Sequence, residues 1–347
     1  MAEKGNAEAQ YNLGFAYARG KNPEDLVKAR EWYEKAAEQD MVWAQNNLGL
    51  MYRDGEGGVK DLAKAHKWFE KAAAQNSAPA QYNLGVMYAN AEGVSKDLAK
   101  ARAWYEKAAV QGHAKAQNNL GVMYGLGQGV AKDLSKAREW FEKAAAQDDA
   151  TAQRYLGSVA AKAKDYVQAK QWWEQGAANG DALSMRNVGS LYEEGKGVNQ
   201  DFAEAESWYR KGTKSKKNSA TSMTSLAHLY SEGKGIEKNE KQAVDWLEKA
   251  CMLDSLGSAT ACYEIGHAYL KGELGLPKDE QKAFEYAMKA AMNGHAGGGV
   301  ILYDIDTSKL KLSDADRKQA TEFANNFRNN QYWEPREWIQ LLKSLQD

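Results

Sequence analysis

The sequence predicts an all-α protein: an α/α superhelical solenoid of about eight helix-turn-helix repeats closed by a C-terminal helical cap. Three observations predict it. A dipeptide of an aliphatic residue and a small one recurs along the chain. Leu13-Gly14, Leu48-Gly49, Leu84-Gly85, Leu120-Gly121 and Leu156-Gly157 are spaced by 35 or 36 residues, and Val188-Gly189, Leu226-Ala227 and Ile265-Gly266 follow at steps of 32, 38 and 39. An aromatic pair trails the dipeptide in most copies: Trp32-Tyr33, Trp68-Phe69, Trp104-Tyr105, Trp140-Phe141, Trp172-Trp173 and Trp208-Tyr209 account for most of the 11 tryptophans. Finally, 347 residues contain only four prolines, as a mostly helical chain requires.

The third copy shows the whole unit. In its first helix Ala80, Leu84 and Tyr88 fall at i, i+4 and i+8 and make one apolar stripe. Glycine inside a helix costs about 1 kcal/mol against alanine, so its recurrence after the aliphatic residue implies a close approach by the partner helix. In the second helix Ala101, Trp104-Tyr105 and Ala108 repeat the helical spacing, with small residues making room that the aromatic pair fills. Between the helices runs a glycine-rich loop, as in Gly127-Gln128-Gly129-Val130, Gly195-Lys196-Gly197-Val198 and Gly233-Lys234-Gly235-Ile236. Its first glycine suits a left-handed helix end, and its valine or isoleucine is expected to plug the gap between helix ends. Asp61, Asp97, Asp133, Asp201 or Asn239 then caps the next helix, and Asp201 with Glu204 has capping-box spacing.

One helix pair cannot bury both of its faces, so the repeats of residues 1–295 must stack into an array with a concave and a convex side. The unit near 150–181 is atypical. Its loop, Ala160-Ala161-Lys162-Ala163-Lys164-Asp165, lacks glycine and is short, which predicts a local change of curvature. Residues 296–347 read as the cap, with one helix starting near Leu312-Ser313-Asp314 and running to about Phe327, and a last one from Pro335 to about Leu345.

Hydrophobic residues are 43% of the chain and charged residues 27%, the balance of a folded domain. The net charge of −1 removes the basic surplus that draws proteins to nucleic acid, so no nucleic acid is expected as partner. No apolar run approaches the roughly 18–20 residues of a membrane span. Met1-Ala2-Glu3-Lys4-Gly5-Asn6 has no signal-peptide core. Ala2-Glu3-Lys4-Gly5 instead looks like the tail of a preceding repeat, which predicts that the chain starts inside a longer one.

The unit A-x-A-Q-x-N-L-G-x-M-Y, G-x-G-V-x-x-D, K-A-x-x-W-Y-x-K-A-A resembles the Sel-one-like repeat, a branch of the tetratricopeptide superfamily with a longer inter-helix loop. The resemblance covers roughly residues 2–295. It implies a solenoid acting as a non-catalytic adaptor. Related proteins are common in bacteria, often exported, and take part in host interaction, envelope processes, signalling and toxin-immunity pairs.

Within that constant framework the residue after the glycine varies: Phe15, Leu50, Val86, Val122, Ser158, Ser190, His228 and His267. The first four are apolar and the last four polar. With Tyr11, Asn46, Tyr82, Asn118, Arg154 and Arg186 beside them, they are the expected partner-binding ladder of the concave side. The other reading is that some of them face the adjacent helix and simply pack. His228 and His267 share one slot in adjacent units, and two ligands alone make a poor zinc site, so no metal is expected. His113 and His295, in turns between units, read as structural. Cys251 falls at the second alanine of K-A-A, and Cys262 falls where other units carry Gln10, Gln45 or Gln81. A cysteine-rich branch of the same family bridges these two slots with a disulfide. Here the intervening stretch is three residues longer than in regular units, and two buried thiols are the alternative. A disulfide would imply an oxidising compartment such as the periplasm or the cell exterior, and thiols would leave the cytoplasm open.

The motifs of enzymes are missing. The glycine loops lack the G-K-[ST] ending of a phosphate-binding loop, and no H-E-x-x-H occurs. Ser231-Glu232-Gly233-Lys234 and Ser308-Lys309-Leu310-Lys311 have S-x-x-K spacing without a K-T-G or S-D-N partner. The expectation is therefore a protein, monomeric by itself, that binds a peptide segment or folded domain without any cofactor or catalytic residue. A toxin-neutralising immunity protein is the alternative, and a β-lactam-binding enzyme a lower one.

Overall fold

Each repeat carries two apolar stripes at helical spacing, and a stripe left in water would not hold so short a helix together. The computed structural model describes residues 1–20, 22–253 and 257–328. These form α-helices and two short 3-10 turns, with no strand among the described residues. Contacts divide the chain into two compact units, Met1–Asp149 and Ala150–Asp347.

The first unit holds four helix pairs: α1 (Ala7–Gly20) with α2 (Pro23–Ala37), α3 (Val42–Asp54) with α4 (Leu62–Ala74), α5 (Ala78–Asn90) with α6 (Leu98–Val110), and α7 (Ala114–Leu126) with α8 (Leu134–Ala145). The second holds four more: α9 (Ala150–Lys162) with α10 (Tyr166–Ala178), α11 (Ala182–Glu194) with α12 (Phe202–Thr213), α13 (Ser219–Glu232) with α14 (Glu240–Cys251), and α15 (Ser258–Lys271) with α16 (Glu280–Met292). Within each unit a helix packs on its partner and then on the first helix of the next pair. Two further helices, α17 (Ala296–Asp304) and α18 (Asp314–Arg328), end the described chain. Ala320 and Ala324 of α18 close over Ile301, Leu302 and Ile305. The helix expected over 335–345 lies outside the described residues.

The stripes face inward as their spacing requires. In the third pair Ala80, Leu84, Met87, Ala101 and Ala108 are fully buried and Tyr105 nearly so. Of each aromatic pair, only the second ring enters this core. It rests on the glycine of its own first helix, with nothing between ring and backbone. A methyl group built on Gly85 would lie 2.5 Å from Tyr105 Cδ1, and one on Gly49, Gly121 or Gly189 would meet Phe69, Phe141 or Tyr209 at 2.5–2.6 Å. Where the ring is absent the contact relaxes. In the seventh pair Leu247 stands in the ring slot and Ala227 in the glycine slot, both buried. In the eighth, Ala287 replaces the ring, and a methyl on Gly266 would find its nearest neighbour, Tyr286 Cβ, at 3.2 Å.

Caps finish the helices. The side chains of Asp61, Asp97 and Asp133 accept the backbone N–H of Lys64, Lys100 and Lys136 at 2.9–3.0 Å. Asn239 accepts that of Gln242 at 2.9 Å. Asp201 accepts from Ala203 and Glu204 at 3.0 Å. The reciprocal half of its expected capping box is taken over by the backbone, because the Asp201 N–H donates to the Tyr192 carbonyl at 2.9 Å. The same bond recurs from Asp61, Asp97, Asp133 and Asn239 to the tyrosine that ends the preceding helix, at 2.8–3.0 Å, and it closes the loop. Gly127 ends α7 in the left-handed region at φ 71°, while Ala91 ends α5 there at φ 59° despite its Cβ. Val94, Val198 and Ile236 pack partly buried against the cores as plugs. In the second pair Gly58 stands in the plug position, and Val59 is 83% exposed. Arg30 covers this loop instead, donating to the Val59 carbonyl at 3.4 Å and lying 3.8 Å over the Tyr52 ring.

Gly85→Ala should lose about 1–3 kcal/mol to the clash with Tyr105, more than the roughly 1 kcal/mol that alanine gains in helix propensity. Gly266→Ala should stay within about 1 kcal/mol of the parent, because the ring is absent there. Urea denaturation followed by circular dichroism compares the two, and equal losses would remove the ring contact as the cause.

Candidate protein-interaction surface

A helix turns about 100° per residue, so the position after the packing glycine points away from the ring that fills the glycine slot. In all eight pairs that position stays open. Phe15 is 49% exposed, His228 is exposed, and Leu50, Val86, Val122, Ser158, Ser190 and His267 are partly exposed. In the first unit the open residues are aromatic or aliphatic.

The residues beside them are held to different degrees. In the first unit Tyr11 lies 6.4 Å from Phe15 and 5.8 Å from Tyr33, ring centre to ring centre. Tyr82 stacks on His113 at 4.7 Å. Asn118 is half-buried, and its side-chain carbonyl oxygen is shut away from solvent without a hydrogen-bond partner. Asn46 is committed to the fold: it is buried and accepts from Asn83 of the next pair at 3.0 Å. The chemistry of the ring slot explains this. Tyr33 offers a hydroxyl, which Asn47 meets at 3.3 Å, whereas Phe69 offers none, so Asn83 turns to Asn46.

In the second unit Arg154 is likewise committed. Its guanidinium pairs with Asp181 at 3.2 Å with both side chains 13% exposed, and its carbonyl accepts from Ser158 and from the Trp173 indole. Arg186 is exposed, and Ser190 donates to Glu194 at 2.6 Å. His228 bonds Glu264 of the next pair at 2.8 Å, and His267 lies 3.3 Å from Glu273. The two histidines thus face separate carboxylates, and no group of three or more metal-ligating side chains forms among the described residues. The S-x-x-K spacings do not pair serine with lysine. Ser231 donates to the His228 carbonyl and Lys234 pairs with Glu193 and Glu232, while Ser308 donates to Asp306, which also pairs with Lys309.

Two regularities escaped sequence reasoning. The lysine of W-Y-x-K lies over the tryptophan three residues before it: Lys35 over Trp32 at 4.1 Å, Lys71 over Trp68 at 4.4 Å, Lys107 over Trp104 at 4.1 Å, Lys143 over Trp140 at 4.3 Å and Lys211 over Trp208 at 3.9 Å. This cation–π contact shields the ring that the core does not take. The glutamine of A-x-A-Q stitches successive pairs. Gln45 and Gln117 donate to the Ala37 and Ala109 carbonyls at 3.2 and 3.0 Å, and accept from Gln75 and Gln147 at 3.0 and 2.8 Å. Cys251 and Cys262 occupy the same alanine and glutamine slots, and the structure joins them by a disulfide with the Cα atoms 4.8 Å apart.

His113 and His295 cap helices through Nδ1, which accepts the N–H of Ala116 and of Gly297 at 3.2 Å. Each ring also stacks at 4.7 Å on a tyrosine, Tyr82 or Tyr263. Burial, with Lys115 beside His113, holds both below the ordinary histidine value. His228 goes the opposite way, raised first by its bond to Glu264.

Comparison with known proteins places this geometry. The family model of the Sel1 repeat matches residues 7–41, 44–77, 78–113, 114–149, 151–181, 182–215, 220–255 and 259–295. The search of curated proteins found no match. Among solved structures the chain is similar to c5321, a protective antigen present in uropathogenic Escherichia coli strains and displaying an SLR fold, at 29% identity and a TM-score of 0.61 over 99% of this chain and 84% of that one. It is similar to a Sel1 repeat protein from Oxalobacter formigenes at 29% identity and a TM-score of 0.63, over 88% and 89% of the two chains. Immunity protein Pa5087 from Pseudomonas aeruginosa, at 24% identity and a TM-score of 0.43 over 59% and 80%, is too distant to bear on function.

The neutral caps predict a pH dependence. A histidine with a lowered folded value contributes fully above the unfolded value of about 6.5, and its contribution declines as the unfolded chain takes up protons below that point. His113→Asn keeps a capping acceptor but does not titrate there. The fall in urea midpoint between pH 7.5 and pH 5.5 should therefore be smaller in the variant than in the parent, and an identical fall would remove the cap as its source.

Proposed function

The chain belongs to the Sel1 repeat family, whose members typically serve as protein-interaction scaffolds, and we propose that this one is a non-catalytic adaptor gripping a partner protein with the open residues of its first-of-pair helices. One observation carries the reading. In every pair the residue beyond the packing glycine, or Ala227 in its place, stays at least partly exposed while that small residue is buried, and in the first unit it is Phe15, Leu50, Val86 or Val122. An apolar side chain left partly open to solvent is where a partner's apolar groups gain from contact. In the second unit Ser190, Arg186, His228 and His267 offer polar contacts instead. Arg154 and Asn46 drop out of the contact set because the fold holds them.

The adaptor is proposed to work in the bacterial envelope or outside the cell. The Cys251–Cys262 disulfide supports an oxidising compartment. No helix among the described residues is long and apolar enough to cross a membrane.

A photo-crosslinking residue at position 50 or 86 should capture a partner that the same residue at exposed Lys67 of α4 does not. Leu50→Asp with Val86→Asp should weaken binding of that partner at least about tenfold, the loss of roughly 1.4 kcal/mol, with the helical circular dichroism signal retained. Unaltered affinity would take the open face out of the binding role. For the disulfide, alkylation of the unreduced chain should add no mass and alkylation after reduction should label both cysteines. Reduction should also cost the second unit about 2–4 kcal/mol, and two reactive thiols in protein from an oxidising compartment would remove this support for localisation.

A further inference from the structure

The seventh pair departs from the packing rule of the others. Leu247 and Ala227 stand where most pairs set a ring against a glycine, and a cleft of about 220 Å³ opens beside them. Its floor is apolar, with Ala243, Leu247 and Leu274. Its rim carries Glu264 and Glu273, with His228 bonded to the first and His267 beside the second. The Tyr263 ring also lines it and is held from behind by His295, whose ring stacks on it at 4.7 Å.

We infer that this cleft receives an arginine side chain of the partner protein. A volume of about 220 Å³ suits one extended side chain rather than a helix. The apolar floor suits the methylene stem of a long cationic residue, whose head then stays at the wetter rim. Carboxylates from two elements line it, Glu264 on α15 and Glu273 on the loop after it, and a planar guanidinium offers paired donors to a carboxylate where an ammonium acts as a point charge. Tyr263 adds an aromatic face on which a guanidinium stacks. Glu264, Glu232 and Glu193 lie close enough to favour the protonated form of His228, and Lys234 is engaged by Glu193 and Glu232. The inference rests on the adaptor reading for its source of arginine, but the cleft's chemistry can be probed without a partner.

The probe is N-acetyl-arginine N-methylamide, titrated into the full chain while the side-chain NMR signals of His228 and His267 are followed. Saturable shifts of both are expected, with the capped lysine analogue several-fold weaker and capped glutamate inert. Glu264→Gln with Glu273→Gln should weaken the response at least tenfold. Ala227→Gly with Leu247→Tyr restores the ring and glycine of the other pairs, should fill the cleft, and should abolish the response without lowering the melting temperature. Absence of saturation, a response that survives either double variant, or an equal response to capped glutamate overturns the inference. Tighter binding of spermidine than of capped arginine overturns it too, by assigning the cleft to a free polyamine. Leu50→Asp with Val86→Asp lies in the other unit and should leave probe binding untouched, so failure of the adaptor reading and failure of the cleft are read separately.

Discussion

An aromatic ring pressed against a bare glycine backbone sets how near the two helices of each pair approach, and most of the architecture follows from it. Tyr105 on Gly85 and Phe141 on Gly121 leave no room for even a methyl group. The neighbouring tryptophan is thereby forced to the rim, where a lysine three residues later covers it. The ring's own chemistry reaches into the next pair: a tyrosine hydroxyl engages the asparagine at 47, and a phenylalanine frees the one at 83 to seek another. Burial raises the hydroxyls of Tyr105 and Tyr209 well beyond the usual phenol range, which keeps them neutral hydrogen-bonding groups.

The same contact decides what remains for function. A helix that gives one face to a ring and its flanks to neighbouring pairs has one direction left, and the residue after the glycine points along it. That residue stays at least partly exposed in every pair, and its identity differs from pair to pair. Phe15 and His228 occupy equivalent places and have nothing else in common. Specificity in such an array is a matter of which side chains are strung along an otherwise repetitive frame.

Much of this was legible in the amino-acid sequence because each rule is written several times. The helix pairs, the aspartate caps, the left-handed glycine ends and the role of the packing glycine all follow from local spacing. What was not legible depends on partners in another repeat. Nothing near Asn46 in the chain announces Asn83, 37 residues away, and nothing near Arg154 announces that Asp181 will claim its guanidinium. In the second loop Gly58 takes the plug position, and the valine one residue later, Val59, lies in solvent. The cleft beside Leu247 was hidden for the opposite reason, since a lost ring reads as a weaker copy of the motif and not as an opening.

The junction between the seventh and eighth pairs carries one more lesson. Elsewhere a glutamine amide and a backbone carbonyl hold that seam, a bond that a passing water molecule can replace. Linear arrays fray from their ends, and each pair that peels away exposes its apolar stripe to proteases and to other unfolded chains. A covalent Cys251–Cys262 clasp at this seam keeps the eighth pair tethered when it loosens, so that it re-closes on its own neighbour before anything else reaches it.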